Sequence, residues 1–294
     1  MFPYHTTLDP DAVNTSQSLM LELVGGGKDV LDLGCATGYL AEALGARGCR
    51  VSGVEYVAEA AERARPFLEQ LVVGDLNTLD LVGELGAERF DVLVFGDVLE
   101  HLADPYAVLR RALELLRPGG SVVISVPNVA HGSLRLALLQ GRWRYTETGL
   151  LDRTHIRFFT RASLNELLRS SGLVPVDVRR TTADPLAVEV QVDAAALPPG
   201  TVEWVRAQPD ADTYQFVVRA VRDQGDGVVE ALALERDDLR RRTEAAERRA
   251  VELESALRTE RESVQALLAT RTMRALAAPR AVYSRLRRLG RRSR

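Results

Sequence analysis

Val30-Leu31-Asp32-Leu33-Gly34-Cys35-Ala36-Thr37-Gly38-Tyr39-Leu40 passes from an apolar run, through two glycines, into a helical pattern. The run reads as a buried strand. Gly34 and Gly38 allow backbone conformations that other residues resist, and close approach of the chain to a ligand. The helix predicted from about Tyr39 brings its unpaired N–H groups to the mouth of a parallel sheet. That geometry suits an adenosine-bearing ligand. The spacing from Asp32 to Gly38 is D-x-G-x-x-x-G. It is neither the G-x-G-x-x-G of a dinucleotide site nor a phosphate-binding P-loop.

Four further elements follow in order. Arg50-Val51-Ser52-Gly53-Val54-Glu55 reads as a strand ending in a carboxylate suited to accepting ribose hydroxyl protons. Leu71-Val72-Val73-Gly74-Asp75-Leu76 reads as a third strand and Phe90 to Phe95 as a fourth, while Leu116-Arg117-Pro118-Gly119-Gly120 reads as the turn before a fifth. Strands and helices alternate to about residue 126, the signature of a parallel sheet. A helix is predicted over 161–171, with Thr160 as N-cap and Gly172 as its stop. Leu173 to Arg179 and Thr213 to Val221 are strand-like and would complete the sheet.

This series resembles the class I S-adenosylmethionine (SAM) methyltransferases over about residues 25 to 220. The resemblance implies an α/β, Rossmann-like seven-stranded fold with an antiparallel last strand, and SAM as cofactor. By the same resemblance Gly34 and Gly38 shape the cofactor loop around Cys35 and Ala36, and Asp32 orders it. Glu55 holds the ribose, Asp75 with Leu76 holds the adenine, and Asp97 lies near the methionine end. Position 36 departs from the family, which usually has Gly there.

The chain of 294 residues has room for one α/β domain and an accessory part, and its 46% hydrophobic content supports a core. No apolar run approaches the roughly 20 residues that cross a bilayer. The first residues lack the basic start and apolar run of a signal peptide. Cys35 and Cys49 are the only cysteines and lack metal-type spacing. Together these lead to the expectation of a reduced, cytoplasmic protein.

The predicted organisation is a methyltransferase domain over 1–221, a linker over 222–228, a coiled coil over 229–270 and a basic tail over 271–294. From Val229 to Leu267 there is no Gly or Pro, and Leu232, Leu239, Ala246, Leu253 and Leu267 share one heptad position, with Glu260 the exception. Val229, Ala250, Leu257 and Val264 fall three residues before that position, where Arg236 and Thr243 intrude. Association through this helix, with a second copy or another protein, is predicted. The tail holds nine Arg and no acid, which leaves residues 1–270 at −12 in a chain of −3. Peripheral contact with the inner face of an anionic membrane is one reading of the tail. RNA contact and a solvated end are the others.

Methyl transfer from a sulfonium is an in-line displacement, so alignment of the two reactants is the main task. A hydroxyl acceptor must also lose a proton to a base or become acidic on a metal. Asp97-Val98-Leu99-Glu100-His101 supplies two carboxylates and an imidazole at i, i+3 and i+4 of a helix predicted to start there. Asp152-Arg153-Thr154-His155-Ile156-Arg157-Phe158-Phe159-Thr160 supplies another imidazole. The first stretch resembles the E-x-x-E-H run of ubiquinone-pathway O-methyltransferases and of small-RNA 2′-O-methyltransferases. The second resembles the RNA enzymes at His155. This resemblance implies Asp97, Glu100, His101 and His155 as ligands of Mg²⁺ or Mn²⁺. Without a metal, His131 or His155 is the candidate base. The insert from His131 to Phe159 also carries a predicted lid helix at Leu134 to Leu139, and Gly141-Arg142-Trp143-Arg144-Tyr145, suited to gripping a sugar face or phosphate.

The sequence therefore predicts a SAM-dependent methyltransferase acting on a small-molecule or glycan acceptor. The leading substrate reading is a sugar or lipid-linked glycan of surface-polysaccharide assembly. It rests on the resemblance of residues 270–280 to a motif that follows coiled coils in enzymes of that kind. RNA 2′-O-methylation is a second reading, and the acidic catalytic region argues against a nucleic-acid partner. A non-catalytic SAM-binding scaffold is a third.

Overall fold

The computed structural model describes residues 12–87, 89–225 and 228–269. The seven strands are β1 (Asp29–Leu33), β2 (Arg50–Glu55), β3 (Gln70–Val73), β4 (Phe90–Gly96), β5 (Leu116–Pro127), β6 (Leu173–Thr182) and β7 (Thr213–Arg222). They form one sheet in the order β3-β2-β1-β4-β5-β7-β6. β1 to β5 run parallel, and β7 lies antiparallel between β5 and β6. The helices are α1 (Ser16–Val24), α2 (Tyr39–Gly45), α3 (Ala58–Ala64), α4 (Leu81–Leu85), α5 (Pro105–Leu113), α6 (Gly132–Leu139), α7 (Arg161–Ser170), α8 (Thr201–Arg206) and α9 (Val228–Ala269).

Strand alternation sorts the central side chains onto two faces. Val30, Val92 and Val94 enter one cluster with Met20, Leu21 and Val24 of α1 and Leu40 and Leu44 of α2. Leu31, Leu33, Leu93 and Phe95 enter the other, with Leu109 and Leu113 of α5 and Leu164 and Leu168 of α7. Full burial of each such side chain is worth about 1.5–3 kcal/mol, so these two layers hold the sheet and fix its carboxyl edge. A smaller cluster of Leu134, Leu150 and Leu151 supports the insert after β5.

α7 starts on a reciprocal capping box between Thr160 and Ser163, at the predicted N-cap. The turn predicted at Leu116-Arg117-Pro118-Gly119-Gly120 is part of β5 instead, and the β4–β5 pairing shifts register between Phe90 and Val92. The helix predicted at Asp97 is also absent. A 3₁₀ turn at Leu99–His101 stands there, preceded by Asp97 at φ 55°.

The chain divides into two compact units between Leu234 and Glu235. α9 is a helix of 42 residues, over the range where a coiled coil is predicted. The basic tail at 271–294 lies outside the described residues. No helix among the described residues is long and apolar enough to cross a membrane.

Candidate functional site

Gly34, Glu55, Asp75, Asp97 and Asn128 all lie at or just beyond the carboxyl ends of β1 to β5, the edge where open α/β sheets bind ligands. Gly34 and Gly38 take φ 87° and 81°. Packing within the chain demands glycine at both positions. A Cβ on Gly34 would lie 2.5 Å from Val98 Cγ2, and one on Gly38 would lie 2.8 Å from Ala64 Cα. The loop after β1 is thus pressed against the turn after β4 and against α3. Ala36 also takes a left-handed φ, 47°. Its amide donates to Glu55 Oε2 at 2.8 Å, and the Val57 amide donates to Glu55 Oε1 at 2.8 Å. Asp32 is buried, and desolvation with the nearby Glu55 charge pushes its carboxyl up to about 7. Burial also pushes the Cys35 thiol up, which keeps it a neutral packing group.

Asp75 accepts the backbone and side-chain amides of Asn77, both at 2.9 Å. Leu76 is buried in the main core, and its carbonyl accepts from Arg111 at 2.7 Å. Asp97 Oδ1 accepts from Ser125 Oγ at 2.8 Å and from Gln215 Nε2 at 3.0 Å. Burial raises the Asp97 carboxyl, against the lowering effect of those two bonds and of His101. Asp97, Gln17, Thr181, Tyr214 and Gln215 line a cleft of about 530 Å³.

Glu100, His101 and His155 come together, with one ligating atom of each within 4.8 Å of the others. This grouping follows from the backbone: the Ile156 and Arg157 amides both donate to the Glu100 carbonyl at 2.9 Å. That contact draws the residue 155 loop onto the 3₁₀ turn. The His101 and His155 rings meet edge-on with centroids 4.9 Å apart. Glu100 is 1% exposed, and neither of its carboxylate oxygens has a hydrogen-bond partner. His155 is 8% exposed, and its Nδ1 is likewise unpartnered. His101 Nδ1 lies 3.2 Å from the Thr154 carbonyl. A carbonyl only accepts, so Nδ1 carries a proton in this contact, which leaves Nε2 as the nitrogen available to a ligand. Burial, with Asp97 and Asp152 beside it, pushes Glu100 well up. Burial and the neighbouring His101 lower His155.

Two sequence expectations change here. Asp97 does not join the grouped ligating atoms, because its positive φ turns it away from helical spacing and Ser125 and Gln215 hold its first oxygen. His131 is not available as a base. It is 0% exposed and caps α6. Its Nδ1 meets Ser133 Oγ at 2.8 Å and its Nε2 meets the Ala183 carbonyl at 3.1 Å. Both ring nitrogens are spent on the fold. Tyr214 and Gln215 at the cleft, and the buried Ser125 that bonds Asp97, carry no local sequence signal, and Gln215 lies 118 residues from the Asp97 it holds. In the insert, ring contacts run from His155 to Phe158 (6.5 Å), to Trp143 (5.5 Å) and to Tyr145 (6.4 Å). Trp143 and Tyr145 are exposed.

The strand order with its antiparallel β7, the glycine loop and the acidic strand ends define a SAM-type α/β domain. A model of the methyltransferase domain matches residues 17–178. The chain belongs to the class I SAM-dependent methyltransferases. It is 32% identical over 200 residues to a ubiquinone biosynthesis O-methyltransferase of Cereibacter sphaeroides, covering 67% of this chain and 79% of that protein. It is 34% identical over 175 residues to one of Pseudomonas fluorescens, covering 56% and 73%. A SAM-dependent methyltransferase structure from Archaeoglobus fulgidus shares the fold, with a TM-score of 0.50 at 15% identity over 70% of this chain and 94% of that one.

Proposed function

We propose that this methyltransferase transfers the SAM methyl group to a hydroxyl of a small molecule, with a divalent ion held by Glu100, His101 and His155. The observation that carries this reading is the set of unpartnered buried atoms, both Glu100 oxygens and His155 Nδ1. Leaving such groups unpaired costs about 1–3 kcal/mol each, more when charged, and a cation resolves all of them together. The donors suit Mg²⁺ or Mn²⁺, and the His101–Thr154 contact is the outer hydrogen bond that orients a metal-binding imidazole. When bound, the ion supplies Lewis acidity that makes a hydroxyl easier to deprotonate.

The rest of the chemistry belongs to the chain. Glu55 holds the ribose, Asp75 and Leu76 the adenine side, and the Gly34–Gly38 loop the body of SAM. Ser125 and Gln215 fix Asp97 at the methionine end. The acceptor hydroxyl gives up its proton to solvent water, its oxygen attacks the methyl carbon in line, and the carbon–sulfur bond breaks with the electron pair leaving on sulfur as a neutral thioether. The names of the curated relatives support O-methylation. They speak of ubiquinone biosynthesis and not of a glycan, so a small-molecule hydroxyl stands ahead of a lipid-linked sugar. The ring series from His155 out to Tyr145 offers a wall for an acceptor with a flat face.

The test is transfer of labelled methyl from SAM into a fractionated cell extract, with and without EDTA. The reading predicts label in the small-molecule fraction, lost with EDTA and restored by Mg²⁺ or Mn²⁺. Label in RNA or glycan, or full transfer in EDTA, contradicts it.

A further inference from the structure

α9 presents an apolar stripe with charges set into it. Leu232, Leu239 and Leu253 take heptad position d, and Leu257 and Val264 take position a. All five are exposed. Most helical stability in proteins comes from packing such a face, so the stripe calls for a partner helix. Three polar residues interrupt it, Arg236 and Thr243 at a, and Glu260 at d.

Those interruptions decide the direction of the partner. In a parallel, in-register pair of α9 helices a faces a and d faces d. Arg236 would then meet its own counterpart in the seam, and so would Glu260. Like charges held there repel strongly, because the seam excludes water. In an antiparallel pair a faces d. Overlap of the two helices from Leu232 to Val264 gives the layers Leu232–Val264, Arg236–Glu260, Leu239–Leu257 and Thr243–Leu253, each formed twice by symmetry. The two charges that interrupt the stripe then neutralise one another, and the long Arg236 stem covers apolar neighbours. At flanking position e, Arg240 faces Glu254, again twice. Glu247 and Arg249 meet their own counterparts, but at flanking positions where both side chains are exposed and water and salt screen the repulsion. A slide by one heptad in either direction separates Arg236 from Glu260 and sets it against a leucine. A polar layer of this kind fixes register as well as direction.

We propose that α9 pairs with α9 of a second copy as an antiparallel two-stranded coiled coil, with Arg236 opposite Glu260 across the seam. The occupant of the exposed stripe is thus the same chain. The overlap spans about 50 Å at the usual helical rise.

The full-length chain tests this. Light scattering at micromolar concentration should give twice the 32.3 kDa chain mass. On mild oxidation L239C should crosslink with L257C when the two are mixed, because positions facing one another in a seam layer lie within disulfide reach. Neither variant should crosslink by itself, and Cys35 and Cys49 are buried. A monomeric mass overturns the proposal. So does a dimer in which L239C alone crosslinks, the parallel result, or one in which the mixture stays uncrosslinked. A charge swap gives an independent reading. R236E should weaken dimerisation about tenfold by replacing two attractive pairs with two repulsive ones, and R236E/E260R should restore it. Wild-type affinity in R236E, or no rescue in the double variant, also overturns the proposal.

Discussion

The Glu55 carboxylate accepts the Ala36 amide at 2.8 Å and so ties the loop after β1 to the end of β2. Its second oxygen takes the Val57 amide at the same distance. The residue assigned to the ribose is therefore also the clasp of the cofactor loop. Glu55→Ala removes two charge-assisted bonds and should cost about 2–4 kcal/mol of stability. It should also weaken SAM binding at least about tenfold, since about 1.4 kcal/mol of lost contact already suffices. Chemical denaturation and calorimetric SAM titration measure the two effects. Unchanged SAM affinity in a folded Glu55→Ala protein would remove Glu55 from the ribose site.

Ala36 occupies a conformation that suits glycine, with φ 47°. The left-handed region costs a non-glycine residue about 1–2 kcal/mol, partly offset by the extra freedom glycine has in the unfolded chain. Ala36→Gly should raise the unfolding free energy by about 0.5 kcal/mol and leave SAM affinity intact. A fall in stability would show that the Ala36 methyl group contributes packing that outweighs the strain.

Asp32 should make the ligand-free fold weaker at neutral pH than in mild acid. Its carboxyl rises from 3.8 to about 7 on folding. Between those values the folded chain keeps a proton that the unfolded chain releases, so stability falls as pH rises. The penalty is absent below 3.8 and complete above about 7. Asp32→Asn should gain on wild type across that window, by at most about 4 kcal/mol at the upper end. Denaturant melts at pH 5 and pH 8 compare the two proteins. A constant difference would show that Asp32 does not titrate there.

His131 and His155 should respond differently to substitution. His131→Ala cuts a helix cap and two buried contacts, and should destabilise the fold by about 2–3 kcal/mol. Burial also lowers the His131 imidazole below its ordinary 6.5, so the fold should lose stability as pH falls through 6.5. That slope should shrink in the variant. His155→Ala removes a buried ring packed on His101 and Phe158 and should destabilise the fold by about 1–3 kcal/mol, while also abolishing metal binding. Thermal melts and metal titrations of both variants separate the roles. Loss of metal binding in a folded His131→Ala protein would contradict the division.

Short-range signals made most of the fold legible. Apolar runs ending in Gly34, Glu55 and Asp75 mark strand ends, and Thr160 with Gly172 brackets α7 because caps act within one turn. The Leu116–Gly120 stretch misled because Pro and Gly usually mark turns, whereas β5 accommodates them through a register shift against β4. The geometry around Asp97 was hidden for another reason. Its positive φ accompanies hydrogen bonds to Ser125 and Gln215, 28 and 118 residues away. The engagement of His131 by Ala183 spans 52 residues and leaves no local trace. The family resemblance points to Glu100, His101 and His155, whereas the backbone contact that draws them together leaves no sequence signal.

Mn²⁺ binding, followed by electron paramagnetic resonance, tests the metal-assisted reading most directly, because it needs neither acceptor nor turnover. The account predicts one ion bound per wild-type chain, and binding lost in folded Glu100→Gln and His155→Ala proteins. No bound Mn²⁺ in the wild type, or undiminished binding in both variants, would contradict it.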